Sequence, residues 1–129
     1  MLLEVIVNVL EEAGFVVFSA TRGEDVQALL EKGIRPCLIL CDLLMPGLGV
    51  AELFARLAAD PRTRDVPLAI MTGSREELLP QVAYVLLKPF TLTALTDVVS
   101  HACTMYRSEQ SGSESENQSR MNLSRDKRK

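Results

Sequence analysis

Apolar residues fall into short unbroken runs separated by longer stretches of helical period, and this alternation continues to about residue 106. Four runs read as strands: Phe15–Ala20, Cys37–Cys41, Leu68–Met71 and Tyr84–Leu87. Continuous rather than alternating apolar character fits strands covered on both faces, as in a parallel sheet between helices. Residues 2–13 place Glu4, Asn8, Glu11 and Glu12 on one helical stripe. Leu2, Leu3, Ile6, Val9, Leu10 and Ala13 fill the other, and Gly14 is a natural stop. Thr21 and Glu24 have the spacing of a capping box, opening a helix that runs to about Lys32, turns Val26, Leu29 and Leu30 inward, and stops at Gly33. After the turn at residues 45–49 a helix carries Leu53, Phe54 and Leu57 and ends near Ala59, because Asp60 precedes a proline. Residues 60–67 read as a polar loop, and 74–82 as a short, poor helix interrupted by Pro80. A last helix over 92–106, N-capped by Thr91, buries Leu92, Leu95, Val98, Val99 and Ala102. The alternation predicts one doubly wound α/β domain over residues 1–106. From Arg107 the composition turns polar, and residues 107–129 are expected to be a disordered tail.

The stretch Pro36–Pro46, PCLILCDLLMP, ends its apolar run in an acid, Asp42. A carboxylate is costly inside a covered strand, so Asp42 belongs at the carboxyl end, where ligands gather in open α/β sheets. Two further strands end in polar residues, Thr72 and Lys88. Parallel strands bring their carboxyl ends to one edge, so the three residues can meet. An acid, a hydroxyl and an ammonium group suit phosphoryl transfer to a carboxylate, with the acid as nucleophile and the other two binding phosphoryl oxygens. Singly, each could merely cap a strand or pair with a neighbour. The trio carries the inference.

Composition narrows the setting. The 129 residues are 47% hydrophobic, with mean hydropathy +0.14. No apolar run is long enough to span a bilayer, and the N-terminus has no secretion pattern. Three cysteines without a CxxC pair suggest a reducing cytoplasm. Cys37 and Cys41 are expected in the core, on one face of a strand, and His101 on the surface of the last helix. A formal charge of −3 argues against a dedicated nucleic-acid-binding domain. The basic residues Arg120, Arg125, Lys127, Arg128 and Lys129 read as part of a solvated tail.

The segments LILCDLLMPG, DPRTRDVPLAIMTGS and VLLKPFTLTAL closely resemble the receiver domains of bacterial two-component response regulators. The resemblance covers roughly residues 2–106. It implies a flavodoxin-like fold with strand order 2-1-3-4-5 and a phosphoryl group received from a histidine kinase. By this resemblance Asp42 is the phosphoacceptor, Thr72 the switch hydroxyl, and Lys88, before a cis-linked Pro89, the phosphate-contacting lysine. Asp42 and the main-chain carbonyl of Leu44 match ligands of Mg²⁺. By the resemblance such a domain is a phosphoacceptor rather than an enzyme, at most phosphorylating and dephosphorylating itself in a Mg²⁺-dependent way. Its expected partners are a histidine kinase or phosphotransfer protein and an unidentified output protein, without direct DNA or membrane contact.

The sequence departs from the family in several places. Receivers open with a strand ending in two acids; here Met1 stands at the beginning of the first helix. The central strand and the Mg²⁺-binding acid pair are therefore missing, which makes Mg²⁺ binding weak or absent. Either the chain begins partway through a longer domain, which is the favoured reading, or a shortened domain closes the gap or borrows a strand. Glu4 is a poor substitute acid. The segment between Thr72 and Lys88 is short, as in receivers attached to hybrid histidine kinases, and suggests a phosphorelay. Val85 stands where a switch aromatic is common, with Tyr84 one place off. The alternative function is a pseudo-receiver that binds a protein partner without phosphotransfer.

Overall fold

The computed structural model describes residues 3–43, 49–74 and 81–111. Four helices, α1 (Leu3–Glu12), α2 (Gly23–Glu31), α3 (Val50–Ala59) and α4 (Leu92–Ser111), accompany three strands, β1 (Ile39–Asp42), β2 (Leu68–Thr72) and β3 (Val82–Leu87). The strands are parallel in the order β1-β2-β3. These are the last three positions of the expected flavodoxin-like sheet.

The two faces of this sheet carry separate cores, as a doubly wound fold requires. On one face Ile6 and Leu10 of α1 meet Leu38, Leu40, Ala69, Met71 and Leu86 together with Leu95, Val99 and Ala102 of α4. On the other, Val26 and Leu30 of α2 and Leu53, Phe54 and Leu57 of α3 cover Ile39, Cys41, Leu68 and Ile70. Both faces of β1 and β2 are thus dry, which is why these strands read as unbroken apolar runs.

Both expected glycine stops are formed. After α1, Gly14 takes φ 101°; its N–H donates to Glu11 O and that of Phe15 to Leu10 O. After α2, Gly33 takes φ 101°, and the N–H groups of Gly33 and Ile34 donate to Leu30 O and Leu29 O. This paired closure needs a left-handed residue, which glycine supplies without a Cβ clash. Arg35 adds a guanidinium bond to Leu30 O at 3.0 Å.

Four expectations are corrected. The run Phe15–Ala20 is not a strand; it forms a bridge only at Val17. β-Branched residues favour a strand, but a ladder also needs a partner along its length, and the described sheet consists of β1, β2 and β3. The Thr21–Glu24 capping box does not form either. The helix opens one residue later, with Arg22 as N-cap and no side-chain cap bond. Leu92 is exposed rather than inward, because the buried stripe of α4 starts at Leu95. Finally, Cys37 and Cys41 lie in opposite cores. Cys37 precedes the strand, so the strict alternation of β1 does not reach it, and it forms a disulfide with Cys103 of α4, Cα to Cα 5.0 Å.

α4 is N-capped by Thr91 as expected, with Ala94 N–H donating to Thr91 Oγ1 at 3.0 Å. It continues past residue 106 to Ser111. Tyr106 is partly buried against both cores. Burial chiefly, and the charges of Asp65 and Glu109, raise its phenol above the usual tyrosine range. The expected poor helix at 74–82 falls largely, and the expected disordered tail from residue 112 wholly, outside the described residues. No described helix is long and apolar enough to cross a membrane.

The loop after α3 is more structured than its polar sequence suggests. Thr63 is buried and its hydroxyl donates to Leu57 O at 2.7 Å, closing the end of α3. Asp60 accepts from the backbone and guanidinium of Arg62. These hydrogen bonds, the side-chain ones foremost, lower the Asp60 carboxyl from 3.8 to about 2. A folded value below the unfolded one means that the pairing stabilises the protein fully above about pH 4. The contribution then disappears as pH falls towards 2. Denaturant midpoints of the wild type and Asp60→Asn should therefore differ at neutral pH, with the wild type higher, and converge across that acid range.

Candidate functional site

Asp42 is the last residue of β1, directly after the buried Ile39, Leu40 and Cys41. Its register partner on β2 is Met71, and Leu43 N–H donates to Met71 O at 3.3 Å just beyond it. The strand therefore delivers the carboxylate to the sheet edge and no further. Lys88 follows β3 directly, and its N–H donates to Thr72 O at 2.8 Å, so the ends of β2 and β3 are tied together. The Lys88–Pro89 peptide is cis, as the resemblance implied.

At this edge Lys88 Nζ donates to Asp42 Oδ2 at 2.9 Å, across 46 residues of sequence. The two side chains remain 32% and 36% exposed. An ion pair this open to water contributes at most about 1 kcal/mol to stability. It is held because two strand ends converge there, and it leaves the carboxylate reachable from solvent.

Thr72 ends β2 on the same edge and is 2% exposed. Its hydroxyl donates to Ser74 O and accepts from Ser74 N–H, both at 3.2 Å. The structure thus brings Asp42 and Lys88 into contact and places Thr72 beside the turn that follows its own strand. The Thr72–Ser74 interaction was not foreseen, although Thr-Gly-Ser after a strand is a turn signal.

The remaining candidates lie elsewhere. Leu44, the expected main-chain Mg²⁺ ligand, lies outside the described residues. Glu4 is exposed in the first turn of α1. Tyr84 packs edge-on against the His101 ring, 5.9 Å between centroids at 81°, and Val85 packs towards the core of α2 and α3. Among the described residues no group of three or more His, Cys, Asp or Glu side chains could hold a metal ion. Among the described residues Asp42, already paired with an ammonium group, does not by itself make a Mg²⁺ site, which takes carboxylates around a near-octahedral shell.

A family model for the response regulator receiver domain matches residues 1–100. The phosphate regulon transcriptional regulatory protein PhoB of Pseudomonas aeruginosa is 35% identical over 74 residues, which are 57% of this chain and 32% of that protein. The match thus spans about a third of that relative. Among solved structures, the signal receiver domain of a signal transduction histidine kinase from Syntrophus aciditrophicus superposes with TM-score 0.66 at 24% identity, covering 87% of this chain and 86% of that one. A CheY-like receiver domain protein from Methanospirillum hungatei gives TM-score 0.68 at 22% identity, over 81% and 87% of the two chains. At these identities the two structures bear on the fold.

Proposed function

The chain belongs to the family of response regulator receiver domains, and on that premise we propose that it accepts a phosphoryl group on Asp42 from a phosphohistidine donor. The observation that carries this reading is the Lys88 ammonium, 2.9 Å from a solvent-reachable carboxylate at the carboxyl edge of a parallel sheet.

The transfer follows from the chemistry of these groups. An Asp42 oxygen attacks phosphorus in line with the donor imidazole. The new P–O bond forms as the P–N bond breaks, and the departing nitrogen keeps its electron pair and takes up a proton. Lys88 moves from the carboxylate to the phosphoryl oxygens, where its charge offsets theirs. The product acyl phosphate carries about −1.5 to −2 charge at the strand end in place of the single charge of the carboxylate. Thr72 answers by exchanging its Ser74 partners for a phosphoryl oxygen, and the turn after β2 carries the change outward. No step is assigned to Mg²⁺, whose contribution in this chain is weak or absent.

The donor in this reading is a histidine kinase or phosphotransfer protein in the cytoplasm, and output passes to a partner protein. The chain is a phosphoacceptor without turnover on a separate substrate. The transcriptional role of the curated relative is not carried over, since the match reaches only part of it and this chain is not expected to contact DNA.

A pseudo-receiver is the second reading, favoured by the pairing of Asp42 with Lys88 and by the absence, among the described residues, of an acid cluster that could hold a metal ion. Incubation with a small acyl phosphate, followed by intact-mass spectrometry, separates the two. Acceptance predicts a gain of one phosphoryl group per chain, little changed when Mg²⁺ is chelated. A chain that is folded by circular dichroism and gains nothing is a pseudo-receiver.

A further inference from the structure

We propose that Cys37 and Cys103 form a reversible thiol–disulfide lock that fastens α4 to the segment leading into the strand that carries Asp42. The proposal is independent of phosphoryl acceptance. It rests on where the two residues stand. Cys37 lies two residues before β1, and Cys103 sits on the buried stripe of α4 beside Val99 and Ala102, with both cysteines fully buried. Their Cα atoms are 5.0 Å apart, within the range a disulfide spans without backbone movement.

α4 rests on α1 and β3 and shares a core with Leu38 and Leu40, and the bond adds a covalent link to the segment that leads into β1. A covalent link between a strand segment and a helix adds most where the sheet is short, and the described sheet has three strands. The bond closes 66 residues of chain, so it removes much of the freedom of the unfolded state. Cys41, the third cysteine, is buried in the opposite core. The sheet stands between it and the pair, so it does not compete for either sulfur.

A low-molecular-weight disulfide such as oxidised glutathione is the oxidant. One cysteine thiolate attacks a glutathione sulfur, forming a mixed disulfide and releasing one glutathione thiolate. The second cysteine thiolate then attacks the protein sulfur and releases the other. Two electrons pass from the cysteine pair to glutathione, and the two cysteine protons go to the thiolates released. Because both sulfurs are sealed, exchange proceeds through openings of α4. In a reducing compartment the lock stands open, and oxidation closes it.

The test uses the full chain. After equilibration with oxidised glutathione and alkylation in denaturant, one cysteine should react in the wild type and none in Cys41→Ser. After dithiothreitol all three wild-type cysteines should react. The thermal midpoint of the wild type should fall by about 10 °C or more on reduction, and that of Cys103→Ser should be indifferent to dithiothreitol. Three reactive cysteines in the oxidised wild type, or a wild-type midpoint unmoved by reduction, would overturn the lock. Both readings are made on the wild type and stand even where Cys103→Ser does not fold.

Discussion

Asp42→Asn is expected to take up no phosphoryl group from a small acyl phosphate while remaining folded. The amide has the shape of the carboxylate but no nucleophilic oxygen, so the loss should be complete rather than graded. The fold should survive because the Asp42–Lys88 pair is open to solvent and contributes at most about 1 kcal/mol. Lys88→Met should behave differently. It leaves the nucleophile in place and removes one preorganised charge, which by analogy with other electrostatic donors slows uptake by about 10²- to 10³-fold. Intact-mass time courses, read beside circular dichroism, distinguish abolition from slowing. Equal slowing in both variants would mean that Asp42 is not the acceptor.

The largest stability effect should come from Phe54→Ala. Phe54 is fully buried between α3 and the sheet, among Leu53, Leu57 and Ile70. Truncation removes a ring's worth of contacts and leaves a cavity that the neighbouring strands, tied by their ladder, cannot close. Such changes cost about 3–5 kcal/mol, against a total stability of about 5–15 kcal/mol for a domain. Urea denaturation should show a strongly reduced midpoint or a chain unfolded without denaturant. A midpoint within experimental error of the wild type would show that Phe54 does not fill this core.

Phe54 and Asp42 are both legible in the amino-acid sequence alone, for different reasons. Leu53, Phe54 and Leu57 fall on one helical face, and period survives translation into three dimensions. Asp42 is legible because an acid ending an apolar run must stand at the strand's edge. Lys88 follows because parallel strands end together. Gly14 and Gly33 are legible as stops because their closure is local, made within six residues of chain.

The misreadings concern residues whose fate depends on distant partners. Phe15–Ala20 has the composition of a strand, but it makes only one bridge, at Val17. Cys37 and Cys103 are separated by 66 residues, and no spacing rule joins such a pair. The hydroxyl of Thr72 belongs at the edge, as its place in the sequence implies, yet its engagement with Ser74 depends on the turn conformation. Thr63 looks like one polar loop residue among several, and only the folded turn at Asp60 carries it beneath the end of α3.

The central claim, that the phosphoryl group goes to Asp42, is tested most directly by trapping. Borohydride reduces an aspartyl phosphate to homoserine and leaves free carboxylates untouched. After treatment with a small acyl phosphate and reduction, peptide mapping should find homoserine at position 42 and at no other aspartate. Homoserine at another aspartate such as Asp60 or Asp97, or phosphate retained on His101 with position 42 unchanged, would contradict it.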